Sequence, residues 1–343
     1  MSVSLSVKYR PKTLDEVLGQ EPIVKILKRQ IETNQFKNSM LFSGPSGTGK
    51  TTLARIFANE INKYTDAGGN ICSSEPIEID AASNSGVDNV RRIIEGASQR
   101  SLDGKYKVYI IDECHSISNQ GWQALLKTIE EAPKYTIFIF CTTEYHKVPV
   151  TIQNRCQQYF LTRVPDQDIV GRLCEICDNE KFSYNADGID QIVKMAQGSV
   201  RLAISFLDKC KDYSTDITLG NVLSTLGTFD YDTFFILINA IIDKDSKAII
   251  NTIETLYNNG DDLKMFLEQF ISFVLDISKF TIFNSYGIIK IPKTYKEELA
   301  YVINIDGGTK YFNHILDKLM EAKQKIKYDN NIKEGLEILL LQL

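Results

Sequence analysis

The chain of 343 residues is 43% hydrophobic and 24% charged, enough to bury more than one core, because compact domains run to roughly 100–200 residues each. A net charge of -5 excludes a surface that coats nucleic acid all over, so any contact with DNA has to come from a local patch. The longest apolar run, Phe234 to Ile242 with Asn239 inside it, is far short of the roughly 20 residues of a membrane-spanning helix, and Met1 to Arg10 lacks the apolar stretch of a secretory signal, which leaves a soluble, cytoplasmic protein as the expectation.

In chain order, five short segments rich in Val, Ile, Phe and Tyr read as strands: Met40 to Ser43, Pro76 to Asp80, Lys107 to Ile111, Thr136 to Phe140 and Gln157 to Leu161. Helical patterns separate them. In the first, Leu53, Ile56, Phe57 and Ile61 share one stripe. Strands alternating with helices imply an α/β fold with a five-stranded parallel sheet covered on both faces. After Val164-Pro165 the strand signal stops, and Ile169 to Cys177, Gly188 to Ala196 and Val200 to Cys210 have helical spacing. A turn cluster at Gly227 to Asp230 precedes a longer helical stretch that includes Phe266 to Phe280 and ends in Leu336, Leu339, Leu340 and Leu343, leucines expected in a core. The expected division is a nucleotide domain over 1–163, a helical lid over 164–227 and an all-helical collar over 228–343.

Seven cysteines, an odd number, are scattered along the chain, and three sit in or at the ends of segments that read as buried strands, which fits reduced thiols in a cytosol. Cys174-Glu-Ile-Cys177 has CxxC spacing, but no second such pair or His pair accompanies it and the surrounding pattern is helical, which weighs against metal or redox use.

Gly44-Pro45-Ser46-Gly47-Thr48-Gly49-Lys50-Thr51, followed by Thr52, fits the P-loop pattern and lies between a strand and a helix. Its glycines let successive backbone N–H groups wrap phosphates, the helix N-terminus adds positive potential, Lys50 reaches the β and γ phosphates, and Thr51 supplies a hydroxyl to Mg²⁺. Val108-Tyr109-Ile110-Ile111 runs into Asp112-Glu113, the Walker B position. Two carboxylates thus stand at the carboxyl end of a buried strand, where open α/β sheets bind ligands. Asp112 is the expected Mg²⁺ ligand and Glu113 the group that orients and deprotonates an attacking water. The next strand ends in Cys141-Thr142-Thr143, hydroxyls suited to sensing a γ-phosphate.

Three stretches carry a more specific signal: Asp112-Glu-Cys-His115, Ala124-Leu-Leu-Lys-Thr-Ile-Glu-Glu-Ala-Pro133 and Thr142-Thr-Glu-Tyr-His-Lys-Val-Pro149. They closely resemble the bacterial DNA polymerase III gamma/tau subunit, a clamp-loader ATPase of the AAA+ class. The resemblance extends to Lys8-Tyr9-Arg10-Pro11, Val17-Leu-Gly-Gln20, Ile79 to Asp88, Asn154-Arg-Cys156 and Gly198-Ser-Val-Arg201, and covers about residues 7–210. It implies that Tyr9, Arg10, Pro11 and Val17 border adenine, that Thr143 is sensor 1 and Arg201 sensor 2, and that Arg155 is an arginine finger acting on the ATP of a neighbouring subunit. Asn154 stands where the family carries serine. The resemblance also implies that helix starts near residue 88 face DNA in the central channel, making Arg91 and Arg92, with Ser83 and Asn84, the candidate DNA contacts.

The same resemblance implies a subunit that assembles with copies of itself and with other clamp-loader subunits into a ring. That ring binds ATP and Mg²⁺, opens a sliding clamp and loads it on primer-template DNA. The bacterial relatives carry a four-cysteine zinc module before Ile77, where this chain has only Cys72; one thiolate cannot make a tetrahedral site, so no zinc is expected. The chain ends at Leu343, where the family's collar ends, so a short gamma-like form is expected, of bacterial or viral source. Two other readings share the motifs: an AAA+ helicase or branch-migration motor, and a scaffold subunit that binds ATP without turnover. Intact Lys50, Thr51, Asp112 and Glu113 count against the scaffold.

Overall fold

The computed structural model describes residues 3–65, 71–83, 86–99, 105–131, 133–227, 229–305, 308–326 and 331–343. The chain divides into two compact units, one formed by Met1–Ile176 with Ala196–Asp208, the other by Cys177–Met195 with Lys209–Leu343. The helices between residues 166 and 213 are shared out between the two.

The first unit is built on five strands: β1 (Ser39–Ser43), β2 (Ile77–Asp80), β3 (Lys107–Asp112), β4 (Thr136–Thr142) and β5 (Gln157–Phe160). They form a single sheet in the order β2-β3-β4-β1-β5, every pair parallel. Between them run α1 (Glu21–Thr33, ahead of β1), α2 (Lys50–Ile61), α3 (Val87–Ala97), α4 (Asn119–Glu130) and the short α5 (Val150–Gln153). All residues of β1 and β4 are buried, as expected of central strands covered on both faces, while the outer β2 and β5 expose Ile77 and Phe160.

Side chains alternate between the two faces with the two-residue period of a strand. Met40, Phe42, Ile137 and Ile139 pack with Leu27, Leu53 and Phe57, whereas Leu41, Phe138 and Phe140 pack with Trp122, Leu125 and Val90. Stacked rings tie neighbouring strands: Phe42 lies 4.8 Å from Tyr159 and Tyr109 5.5 Å from Phe138, centroid to centroid. Strand β4 runs two residues past its expected end, through Thr142. That extension is fully buried and pairs Ser43 with Thr142, bringing the end of β4 level with the start of the P-loop.

In the second unit, α9 (Leu219–Leu226), α10 (Tyr231–Ile242), α11 (Ser246–Asn258), α12 (Leu263–Phe283), α13 (Lys296–Ile303), α14 (Gly308–Ile326) and α15 (Ile332–Leu340) enclose one core; to number the chain in order, α6 is Asp166–Glu180, α7 Ala186–Ala196 and α8 Val200–Tyr213. Phe234, Phe266, Phe270, Phe273 and Phe312 lie at its centre, and Leu336, Leu339 and Leu340 pack into it, with Leu343 partly buried against it. The carboxylates of Asp230, Asp245 and Asp262 cap α10, α11 and α12 by accepting from backbone N–H groups of the first turn. Cys174 and Cys177 both lie within α6. No helix among the described residues is long and apolar enough to cross a membrane.

Candidate nucleotide-binding site

The turn from β1 into α2 needs backbone shapes that side chains resist. Gly44, Gly47 and Gly49 all have positive φ, and Gly49 stands at the N-cap of α2. A Cβ on Gly47 would lie 2.0 Å from Ser199 Oγ, and one on Gly44 2.4 Å from the Leu161 carbonyl oxygen. Glycine is therefore required at Gly44 on two counts, its φ and the fixed carbonyl it would meet, and at Gly47 by its φ. The loop closes on itself where Thr48 Oγ1 donates to the Pro45 carbonyl at 2.9 Å.

Lys50 opens α2 and is only 6% exposed. Its ammonium donates to the carbonyls of Gly44 and Pro45, both at 2.9 Å, so the P-loop's own backbone satisfies it. Burial pulls the Lys50 ammonium below its ordinary pKa, while Glu113 and Asp112 nearby oppose that shift. Thr51 Oγ1 donates to Asp112 Oδ2 at 2.7 Å. A hydroxyl and a carboxylate converging in this way form a donor set that suits a hard cation such as Mg²⁺.

Glu113 follows the last residue of β3 with φ at 46°, in the left-handed region that few non-glycine residues occupy. Thr143 Oγ1 donates to Glu113 Oε2 at 3.1 Å. Asp112 and Glu113 line one pocket together with Tyr9, Arg10, Pro11, Val17, Ser46 to Thr52 and Arg201. Arg10 Nε donates to Thr52 Oγ1 at 3.2 Å; burial lowers the Arg10 pKa from its ordinary value, and the positive charges of Arg55 and Arg201 act in the same sense.

The same pocket is lined by residues that motif reading missed: Ser6, Val7, Glu16, Leu18, Arg172, Val200 and Ile204. Val200 and Ile204 flank Arg201 one helical turn apart, a spacing visible in the sequence. Arg172 gives no such signal: it donates to the Tyr9 carbonyl at 3.1 Å and lies 5.8 Å from the Tyr9 ring centroid, a contact between residues 163 apart. Gly44 and Pro45 act from behind the lining through their carbonyls, and Thr143 through Glu113.

Arg155 is not part of this pocket's lining. Its Nη1 donates to the Thr151 carbonyl at 2.7 Å and its Nη2 pairs with the Glu130 carboxylate at the end of α4. On α3, Val90, Ile93 and Ala97 are buried while Arg91 and Arg92 are exposed. Ser83 Oγ donates to Asp80 Oδ2 at 2.7 Å, helping to hold that carboxyl below its usual range. Asn84 lies outside the described residues.

A P-loop ahead of α2, paired carboxylates at the end of β3 and a parallel sheet in this order define a nucleotide-binding unit of the AAA+ class. Its fold is shared with the RuvB structure of Thermotoga maritima at a TM-score of 0.52 and 20% identity, over 74% of this chain and 86% of that one. A family described as DNA polymerase III, delta subunit matches residues 19–165, and one described as DNA polymerase III subunits gamma and tau domain III matches residues 217–343. The DNA polymerase III subunit gamma/tau of Mycoplasma genitalium is 34% identical over 310 residues, 86% of this chain and 52% of that protein. The DNA polymerase III subunit tau of Bacillus subtilis is 33% identical over 353 residues, 98% of this chain and 62% of that protein. The chain belongs to the gamma/tau family of DNA polymerase III subunits, and it spans between half and two thirds of the length of these curated relatives.

Proposed function

We propose that this chain is an ATPase subunit of a clamp loader, which uses ATP binding and hydrolysis to open a sliding clamp and load it on primer-template DNA. The observation that carries this reading is the split in the site. Lys50, Thr51, Asp112, Glu113 and Arg201 stand together around one pocket, while Arg155 is paired elsewhere, on the chain's own surface. A chain so arranged would bind ATP by itself and have its turnover completed by a neighbour. The P-loop amides and Lys50 would take the phosphates, with Tyr9, Arg10, Pro11 and Val17 bordering the base and Arg201 sensing the γ-phosphate.

Mg²⁺, when held by Thr51 and Asp112, would neutralise phosphate charge. Glu113 would accept a proton from water as the new bond from water oxygen to the γ-phosphorus forms and the bond to the bridging oxygen breaks. Thr143 would hold the carboxylate of Glu113 in place. Residues 164–227 would act as the lid that carries Arg201, 228–343 as the collar of a ring, and Ser83, Arg91 and Arg92 as contacts to DNA phosphates.

The test is ATPase activity of the chain assembled with its partner subunits. Turnover stimulated jointly by a ring clamp and primed DNA supports the reading, and turnover driven by duplex or branched DNA with no response to a clamp overturns it. In the same assay Arg155→Ala should lower turnover by roughly 10³–10⁵, the worth of an arginine finger, without loss of ATP binding. Mixing it with Lys50→Ala subunits should restore part of the rate, because each variant keeps the half-site that the other lacks. A mixture that assembles and stays inactive removes the role in trans.

A further inference from the structure

Glu113 has a second neighbour. His115 lies two residues on, in the one-turn 3-10 helix Cys114–Ser116, and its ring sits between two carboxylates. Nδ1 is 3.4 Å from Glu113 Oε2, and Nε2 is 3.3 Å from Glu144 Oε1. Nδ1 is also 3.0 Å from Thr142 Oγ1, which accepts the Glu144 N–H at 3.0 Å. When Nδ1 carries a proton, it can donate to Thr142 Oγ1 or toward Glu113 Oε2 on the same side of the ring. Glu144, the outer carboxylate, is in turn anchored by Lys147 Nζ at 2.8 Å and faces His146 Nε2 at 3.7 Å.

We propose that His115 is a positioning residue for Glu113, fixing the direction of its carboxylate; the inference rests on the reading of Glu113 as the group that activates water. The geometry gives it a task. Glu113 lies just beyond the sheet's hydrogen bonds, in a left-handed conformation, so the backbone alone does not aim its side chain. Thr143 and His115 both engage Oε2, from different elements, which leaves Oε1 as the oxygen for water in the pocket that Glu113 lines. A displacement of a reacting group by about 1 Å can cost around 10² in rate. The brace continues to Glu144 and Lys147, so the orientation of Glu113 is set by the loop that follows β4 as well as by β3.

The experiment compares variants of the assembled ATPase. His115→Ala should lower kcat by about 10² while KM, and the Kd for a fluorescent ATP analogue, stay within about two-fold. His115→Asn, whose amide N–H can stand in for Nδ1–H, should regain about ten-fold of that loss. In a Glu113→Gln background, His115→Ala should change the residual rate no further, because a residue that acts through a carboxylate has nothing to position once it is gone. An unchanged kcat in His115→Ala, or losses that simply add in the double variant, overturns the proposal. If His115→Ala unfolds early in a thermal melt, Glu144→Gln takes its place: a fall in kcat that vanishes in the Glu113→Gln background supports the brace, and an undiminished kcat defeats it. Were Glu113→Gln itself to turn over like the wild type, the reading of the whole site would fail, an outcome distinct from a failure of His115.

Discussion

The two units bury polar groups to different ends. In the nucleotide unit the hidden polar side chains include Thr48, Lys50, Ser43 and Thr142, gathered at the P-loop and the carboxyl ends of β1 and β4. In the helical unit those among the described residues are Gln191, Asp276 and Ser278. Asp276 accepts the Lys290 N–H at 2.7 Å and the Lys279 ammonium at 3.2 Å, and Ser278 donates to Asn313 Oδ1 at 2.8 Å. Those bonds are permanent crosslinks within a core. Lys50 is satisfied too, but only by neutral carbonyls at the edge of a pocket, where a phosphate would make a stronger partner. A buried charge whose hydrogen bonds all go to neutral carbonyls marks a surface built to bind, whereas one hydrogen-bonded by a charge and an amide marks a surface built to stay shut.

Phe266→Ala should have the largest effect on folding. The ring is fully buried, 5.0 Å from Phe229 and 5.4 Å from Phe234, and its loss should cost the helical unit about 3–5 kcal/mol in denaturant unfolding. Lys50→Met is the converse. Nucleotide affinity, read by titration of a fluorescent analogue, should fall by about 2–5 kcal/mol, yet the thermal midpoint without nucleotide should hold or rise, because an ammonium that burial disfavours has been replaced by an apolar chain of similar length. A midpoint that fell as far as in Phe266→Ala would erase the contrast between the units. The smallest effect is expected at a cap: Asp245→Ala, which removes two bonds to the start of α11, should lower stability by about 0.5–2 kcal/mol without touching nucleotide affinity.

Much of the nucleotide unit is legible in the sequence because its chemistry is local. The P-loop glycines, Lys50 and Thr51 form one unbroken run, and the paired carboxylates directly end an apolar strand, so spacing alone brings them near the same pocket. Where a contact joins distant residues, the sequence holds no signal. Nothing in Arg172 announces that it holds the Tyr9 carbonyl, and nothing in Glu130 that it pairs with Arg155. The left-handed turn at Glu113 is also silent, since a glutamate is not a residue type that favours it. The apolar pattern ends β4 two residues short because Cys141 and Thr142 are less apolar than the residues before them, although the sheet buries them equally. The helical unit is legible as a pattern of buried phenylalanines and leucines, and much less so in its individual pairings, which depend on how seven helices meet.

Close to the N-terminus, Ser4 Oγ donates to Asp208 Oδ2 at 2.7 Å and the Leu5 N–H donates to the same oxygen at 3.2 Å, a link between side chains 204 positions apart. The short helix Leu5–Lys8 leads into Tyr9, Arg10 and Pro11, so the segment bordering the pocket is moored to a residue made long after it. On the ribosome, Met40 to Phe160 can emerge and pair as a sheet, but the first residues of the chain have no Asp208 to bind until α8 has been translated. At roughly 5–20 residues per second, the 157 residues from Thr51 to Asp208 take about 8–30 s, during which the P-loop exists without its full enclosure. This early segment is therefore among the last to find its native partners, and the nucleotide pocket matures from the middle of the chain outward.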